Sequence, residues 1–467
     1  MRPAQRVLYK GPENNPKRPE IGDREALGPA MTLRYFGTDG VRGRALKAPL
    51  RLPDLTRWGA AWAEVAGRNG AWSLLLGWDP RLSSEAMARA FVYGVGGAMP
   101  VRALGMLPTP AVATIVSRTP GAWGVVISAS HNPPEDNGVK GFDNQGEKLS
   151  DAEEGQLEEA FDRAKERPGE GAALDIDEEA ADAYVADLNS IDLGSNLSVI
   201  VDCSFGAAAP FAPRAIRGER VQWMGVPADG GRINVGVGAT NLAALQEAVR
   251  AGGADLGIAF DGDGDRCLMV DPRGEVADGD QLLWLLVQSR IAAGDRPSGA
   301  VGTVMSNEGL ARALAGAGVP FARTPVGDKF LIQELRARDW DLAAEASGHL
   351  IQRRLAPTGD GIRTALSALR ALLARPPATR WAFRFTPWPM KMLSLVAPGR
   401  VPLDQCERLS EAERSIMQKW GSDVRMVVRW SGTEPKLRLM VEGASEAAVG
   451  EALGRLGDAA RADLRIS

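Results

Sequence analysis

Short apolar runs alternate with amphipathic stretches along most of the chain. WSLLLGWD (72–79) and GVVISA (124–129) read as buried strands, and SSEAMARAFVYGVGGA (83–98) between them has apolar residues at helical spacing. Ser150 and Glu153 form a capping-box pattern ahead of an acidic helix around QLEEAFDRAKER. The alternation continues with the strand SVIVDC (198–203), the helix NLAALQEAVRAGG (241–253) and the strand DLGIAF (255–260). It resumes with the strand AVGTVM (300–305) and the helices NEGLARALAGAG (307–318) and DKFLIQELRARD (328–339). Near the end the pattern changes: VRMVVRW (424–430) and KLRLMVEG (436–443) read as two strands joined by SGTEP, with a helix over about 445–464.

This order predicts an α/β protein with three similar α/β domains, each built on a mixed, largely parallel sheet, followed by a smaller C-terminal α+β domain. The domains are placed at residues 31–190, 191–295, 296–378 and 379–467, the last boundary falling by the low-complexity stretch ARPPATR. The likeness of the first three units suggests an internal repeat. Residues 1–30 are rich in Pro, Gly and charge and lack apolar periodicity, so they read as a disordered arm, with Met31 as a natural start of the fold.

Composition narrows the function classes. A net charge of −4 gives no electrostatic case for nucleic acid or an anionic membrane, so any phosphate site must be local. No apolar run nears the roughly 20 residues needed to span a bilayer. The three cysteines are far apart and form no C-x-x-C pair, which fits a reducing cytoplasm and suggests neither a disulfide framework nor a thiolate zinc site. With only two histidines, His131 and His349, a multi-histidine metal site is excluded.

Chemistry gathers where the apolar runs stop. In GVVISASHNPPEDNGVKGFD (124–143), Ser130 lies at the carboxyl end of a strand, where open α/β sheets bind ligands. His131 is adjacent, two prolines stiffen the loop, and Lys140 follows an Asn-Gly pair able to turn the chain back. A polar turn explains Ser-His alone equally well. DGDGDR (261–266) is more specific. Asp261, Asp263 and Asp265 alternate with glycines after a buried strand, so three carboxylates can converge on a hard cation, magnesium being the natural candidate. An open coordination position there suits a phosphate oxygen, which a phosphorylated Ser130 would supply.

Further strings offer recognition groups. RWSGTEPKLR places Arg429, Ser431, Gly432, Thr433 and Arg438 on a hairpin loop, a good dianion clamp, although an SGT turn between charged strands is by itself more often structural. No Walker sequence is present, which favours sugar phosphate over nucleotide. AEASGH carries Glu345, Ser347 and His349 at alternate positions, suited to neighbouring sugar hydroxyls, although a capped turn explains the string as well. Arg42 sits in a glycine-flanked loop, FGTDGVRG, while Asp328 and Lys329 in TPVGDKF are accounted for by a helix start.

Taken together, SASHNP, DGDGDR, E-x-SGH and RxSGTEP, in that order and one per predicted domain, resemble the motifs of the α-D-phosphohexomutase family from Met31 to the C-terminus. The resemblance implies four domains around one central cleft. It implies that Ser130 is a phosphoserine which binds one magnesium ion together with Asp261, Asp263 and Asp265. Arg42, His131, Lys140 and Arg266 would surround the transferring phosphoryl group, with Lys140 as proton shuttle. Glu345, Ser347 and His349 would grip the sugar, and Arg429, Ser431, Gly432, Thr433 and Arg438 the phosphate that is not reacting. The implied reaction interconverts glucosamine 6- and 1-phosphates through a hexosamine 1,6-bisphosphate, which also serves as activator, in a cytoplasmic monomer or homodimer. Glucose or mannose phosphates are the alternative substrates. Ala344 and Ala346 around Glu345, and Trp430 beside the phosphate loop, depart from the family pattern.

Overall fold

The computed structural model describes residues 5–8, 33–168, 171–195, 197–431 and 435–466. Two compact units divide it: Leu33–Thr303 with Leu314–Arg384, and a second unit comprising β1 (Gln5–Leu8), Val304–Ala313 and the chain from Phe385 onward.

In the larger unit, the first sheet contains β2 (Val41–Arg44), β3 (Ser73–Trp78), β4 (Val101–Met106), β5 (Ala122–Ile127) and β6 (Asp136–Phe142). Next come β7 (Ile191–Asp192), β8 (Val199–Asp202), β9 (Ile216–Arg217), β10 (Val221–Met224), β11 (Leu256–Phe260), β12 (Cys267–Val270) and β13 (Val276–Ala277). β7 and β9 form a separate ribbon, and the rest make the second sheet. The third sheet contains β14 (Ala300–Thr303), β15 (Phe321–Thr324), β16 (Leu342–Ala344) and β17 (Leu350–Gln352).

The three sheets share one strand order. They run β4-β3-β5-β6-β2, β10-β8-β11-β12-β13 and β15-β14-β16-β17. In each, the first three strands are parallel and the fourth is antiparallel to the third. The repeat suspected from the sequence is therefore present as topology. Parallel neighbours require crossover segments, which explains the alternation of strand and helix in the sequence. The third-to-fourth strand connection is a tight reversal, and all three reversals carry a motif: SASHNP after β5, DGDGDR after β11 and EASGH after β16.

β5 and β11 are buried throughout, and so read as unbroken apolar runs rather than alternating ones. The helices Leu52–Arg68, Ser84–Val95 and Asp151–Arg163 cover the first sheet, with Trp58, Trp62, Phe91 and Phe161 at the centre of its core. Trp58 stacks on Phe161 at 4.0 Å between ring centroids. The expected capping box is formed, with Ser150 and Glu153 each bonding the other's backbone.

The smaller unit is an antiparallel sheet ordered β1-β19-β20-β18, where β18 is Met390–Val396, β19 Val424–Trp430 and β20 Lys436–Gly443. The helices Glu407–Trp420 and Glu446–Leu464 contribute to its core. The buried Arg425 and Glu442, opposite each other on β19 and β20, pair at 2.5 Å, and Arg425 also donates to the carbonyls of Val304 and Ser306.

Two expectations need correction here. The arm over residues 1–30 is not wholly irregular, because residues 5–8 form β1 and pair antiparallel with β19; the rest of the arm lies outside the described residues. Edge pairing uses backbone groups and needs little apolar content, so composition missed it. Nor does Asn137-Gly138 turn the chain back: both lie within β6, the reversal occurs earlier, and buried Asn137 donates to the hydroxyls of Ser83 and Ser84.

Candidate active site

The reversals after β5 and β11 bring Ser130 to the acidic loop. Ser130 is buried, has a left-handed backbone (φ 53°), and donates from Oγ to Asp261 Oδ2 at 2.8 Å. His131 Nδ1 lies 3.4 Å from the same oxygen. A non-glycine residue at positive φ is strained by about 1–3 kcal/mol, so its surroundings must impose it. Arg81 does much of this. Its fully buried guanidinium pairs with Asp79 and donates to the carbonyls of Ser130, Asn132, Pro133 and Asp136. Asn234, from the second repeat, donates to the carbonyls of Ser130 and Asn132, and Ser128 Oγ accepts from the Ser130 amide.

Asp261, Asp263 and Asp265 are all buried, with one carboxylate oxygen from each within 4.8 Å of the others. Burial and the charges of Asp265 and Asp263 push the Asp261 carboxyl well above its ordinary pKa. Asp263 Oδ1 and Asp265 Oδ1 are buried and find no hydrogen-bond partner among the described residues. An all-oxygen donor set with mutually repelling charges and unsatisfied buried oxygens fits a hard divalent cation. Gly262 permits the close approach: a Cβ there would stand 2.6 Å from the Ser130 carbonyl oxygen.

Cations surround this cluster. Lys140 on β6 is buried and reaches Asp263 at 2.6 Å and Asp39 at 3.1 Å. Burial acts to lower its pKa, but Asp263 and Asp39 outweigh this and hold it above the ordinary value. Arg42 on β2 pairs with Asp39, and Arg266 Nε lies 3.9 Å from Asp265. Burial, then the charges of Arg266 and Arg42, lower the His131 pKa to about 4, so its ring is neutral near pH 7.

The third reversal also meets the acidic loop. His349 Nδ1 is 3.6 Å from Asp265, and Arg266 forms a backbone bridge with His349. Glu345 accepts from the Gly327 amide at 3.0 Å and from Ser347 Oγ at 3.1 Å. Ser130, His131, Lys140, Arg42, Arg266, the three aspartates and the Glu345–His349 loop are thus all present in the larger unit.

The residues expected to clamp a phosphate belong to the smaller unit. Arg429 and Arg438 face each other across β19 and β20, and buried Ser431 donates its amide to the Lys436 carbonyl. Gly432 and Thr433 lie outside the described residues.

Sequence reasoning missed Arg81, Asn234, Asp39, Lys148 and Thr109, whose hydroxyl donates to Asp263 at 2.6 Å. It also underrated Asp328. The helix does start at Asp328, whose carboxylate accepts from the Lys329 amide at 2.9 Å, but Asp328 also pairs with Lys148 at 2.6 Å. A lone acid or base in a polar turn gives no local signal of a distant partner.

Four domain families match along the chain. The phosphoglucomutase/phosphomannomutase α/β/α domains I, II and III match residues 33–168, 182–274 and 278–382, and the C-terminal domain of the same family matches 397–456. The chain belongs to the phosphoglucomutase/phosphomannomutase family of phosphohexomutases. It is 39% identical to the phosphoglucosamine mutase of Ectopseudomonas mendocina, over 90% of this chain and 96% of that one. To the phosphoglucosamine mutase of an Escherichia coli strain it is 38% identical, over 92% and 99%. Among solved structures, a phosphoglucomutase/phosphomannomutase family protein of Burkholderia thailandensis shares the fold at TM-score 0.75, with 21% identity over 91% of this chain and 97% of that one. Aspergillus fumigatus N-acetylphosphoglucosamine mutase, solved with GlcNAc-6P and magnesium, shares it at TM-score 0.63, with 17% identity over 92% and 96%. Among the described residues no helix is long and apolar enough to cross a membrane.

Proposed function

We propose that this chain interconverts glucosamine 6-phosphate and glucosamine 1-phosphate through a phosphoserine at Ser130 and a hexosamine 1,6-bisphosphate. The observation that carries the reading is Ser130 Oγ, held 2.8 Å from a buried carboxylate of a three-aspartate cluster. The choice of glucosamine is supported by the names of relatives that match nearly the whole chain.

In this reading phospho-Ser130 gives its phosphoryl group to the free oxygen of the sugar monophosphate, and the bisphosphate then returns its other phosphoryl group to Ser130. Arg42, Arg266 and neutral His131 orient the phosphoryl oxygens, and Lys140 moves the proton of the accepting hydroxyl. Glu345, Ser347 and His349 hold the sugar hydroxyls. Arg429, Ser431, Gly432, Thr433 and Arg438 hold the resting phosphate, with Arg429 and Arg438 as the charged pair. Asp261, Asp263 and Asp265, with the serine phosphate, would hold a magnesium ion, which would supply charge neutralisation for the transferring group.

The test is turnover of glucosamine, glucose and mannose phosphates with trace hexose 1,6-bisphosphate, alongside peptide mass spectrometry of Ser130. The expected result is preference for glucosamine phosphate and a phosphorylated Ser130. Net release of inorganic phosphate would instead mark a phosphatase, and full activity in Ser130→Ala would overturn the phosphoserine.

A further inference from the structure

Between the acidic loop and the sugar loop runs a second connection, made of alternating charges. From Asp263 it passes to Lys140 at 2.6 Å, to Asp39 at 3.1 Å, and on to Lys148, which pairs with Asp39. Lys148 reaches Asp328 at 2.6 Å, and Asp328 lies 3.8 Å from His349 Nε2. The other nitrogen of that ring, at 3.6 Å from Asp265, returns the chain of charges to the acidic loop. The side chains of Lys140, Lys148 and His349 are 1%, 9% and 3% exposed, so solvent screens these charges little.

Lys148 is placed by its own local structure. After β6 the chain turns tightly, the Gly146 amide bonding the Asp143 carbonyl, and a bridge pairs Phe142 with Lys148. Gly146 has φ 73°, and a Cβ there would stand 2.2 Å from the Ala113 carbonyl oxygen, so the turn requires glycine. The turn delivers one ammonium group to two carboxylates from different repeats. Asp39 precedes β2 of the first sheet and also binds Lys140 and Arg42. Asp328 opens the helix Asp328–Arg338 of the third repeat, and the preceding residue, Gly327, donates its amide to Glu345.

We propose that Lys148 is a positioning residue which, through Asp39 on one side and Asp328 on the other, fixes Lys140 and the Glu345–His349 loop relative to each other. The group that moves the proton and the groups that grip the sugar then act as one unit. The inference rests on the phosphohexomutase roles given above for Lys140 and the Glu345–His349 loop. It assigns work to TPVGDKF, which those roles leave unused.

The experiment compares Lys148→Met, Lys148→Arg and Asp328→Asn in the full chain, each with a melting curve, using glucosamine phosphate and trace bisphosphate. Misplacement of a reacting group by about 1 Å costs on the order of 100-fold, so Lys148→Met and Asp328→Asn are expected to lose roughly that factor in kcat while KM changes little. Lys148→Arg, which keeps the charge and can span two carboxylates, restores most of the loss. In a Lys140→Met background Lys148→Met adds less than about a further twofold, because residues acting through one another are not additive. An unchanged kcat, a loss in KM alone, or full additivity with Lys140→Met would each overturn the proposal. A substrate-free measurement separates it from the mutase reading. Amide hydrogen exchange in residues 342–352 is expected to speed up in Lys148→Met and Asp328→Asn; unchanged exchange overturns the coupling whatever substrate the enzyme takes.

Discussion

The reversals after β5 and β11 occupy the same place in two sheets of the same strand order, yet they are held in opposite ways. The Ser130 loop is fastened from outside by Arg81 and by Asn234 of the second repeat, and from within by Ser128, whose hydroxyl is anchored on Asp79. The acidic loop is held mainly by backbone, with the Gly264 amide on the Asp261 carbonyl and the Gly361 amide on the Gly264 carbonyl. Its side-chain ties are Thr109 and Lys140 on Asp263, Ser130 Oγ on Asp261 and His349 beside Asp265. The difference follows from what each loop must present. A single oxygen on strained backbone needs partners on the carbonyls around it, whereas the acidic loop leaves Asp263 Oδ1 and Asp265 Oδ1 without a hydrogen bond, as a cation site requires.

The largest effect that would break this comparison is on the cation. Treatment with a chelator is expected to reduce turnover to background, and readdition of magnesium to restore it. Metal-independent turnover would mean that the three carboxylates serve some other purpose than the one inferred from their unsatisfied oxygens.

Arg81→Met comes next and tests the external fastening. It leaves Asp79 buried beside the loop without its cation and strips donors from four carbonyls. Removing one partner of a buried pair typically costs about 3–5 kcal/mol, so equilibrium unfolding of the larger unit should show a loss of that order. A loss below about 1 kcal/mol, the value of an exposed pair, would show that the loop does not depend on Arg81.

The same contrast explains what could be read from the sequence. DGDGDR carries its glycine spacing and its charges in one short string, which was enough to place it at a strand end and to point to a cation site. SASHNP was legible as a serine after a strand, but its fastening was not. Arg81 lies in WDPRLSS, which reads as an ordinary turn, and Asn234 belongs to another repeat, so no local periodicity links either one to Ser130. Asp39 and Lys148 were overlooked for the same reason. The strands and helices were legible because burial leaves a period in the chain. β1 was not, because strand addition at a sheet edge is a backbone interaction and leaves no such period.

Gly262→Ala sharpens the comparison from the acidic side. The added Cβ would meet the Ser130 carbonyl oxygen at 2.6 Å and Asn234 Nδ2 at 2.7 Å, so one loop must shift against the other. The expected result is a folded protein with kcat lowered on the order of 100-fold, read by steady-state kinetics. Wild-type kinetics would show that the two loops are not in register as described.

The smallest effect expected is that of Asn234→Ala, and its size follows from the redundancy of the fastening. Asn234 donates to the carbonyls of Ser130 and Asn132, at 2.9 and 3.0 Å. Leaving a buried acceptor unsatisfied costs about 1–3 kcal/mol. Here both oxygens keep their bonds from Arg81, at 2.8 and 2.9 Å, so neither is orphaned and the loss should sit near 1 kcal/mol or below. Because the two donors share acceptors, the double variant with Arg81→Met should lose more than the sum of the single losses, the carbonyls then having no donor left. Strict additivity in denaturant unfolding would mean that the two side chains stabilise different things, and that the Ser130 and Asn132 carbonyls are not a shared anchor of the loop.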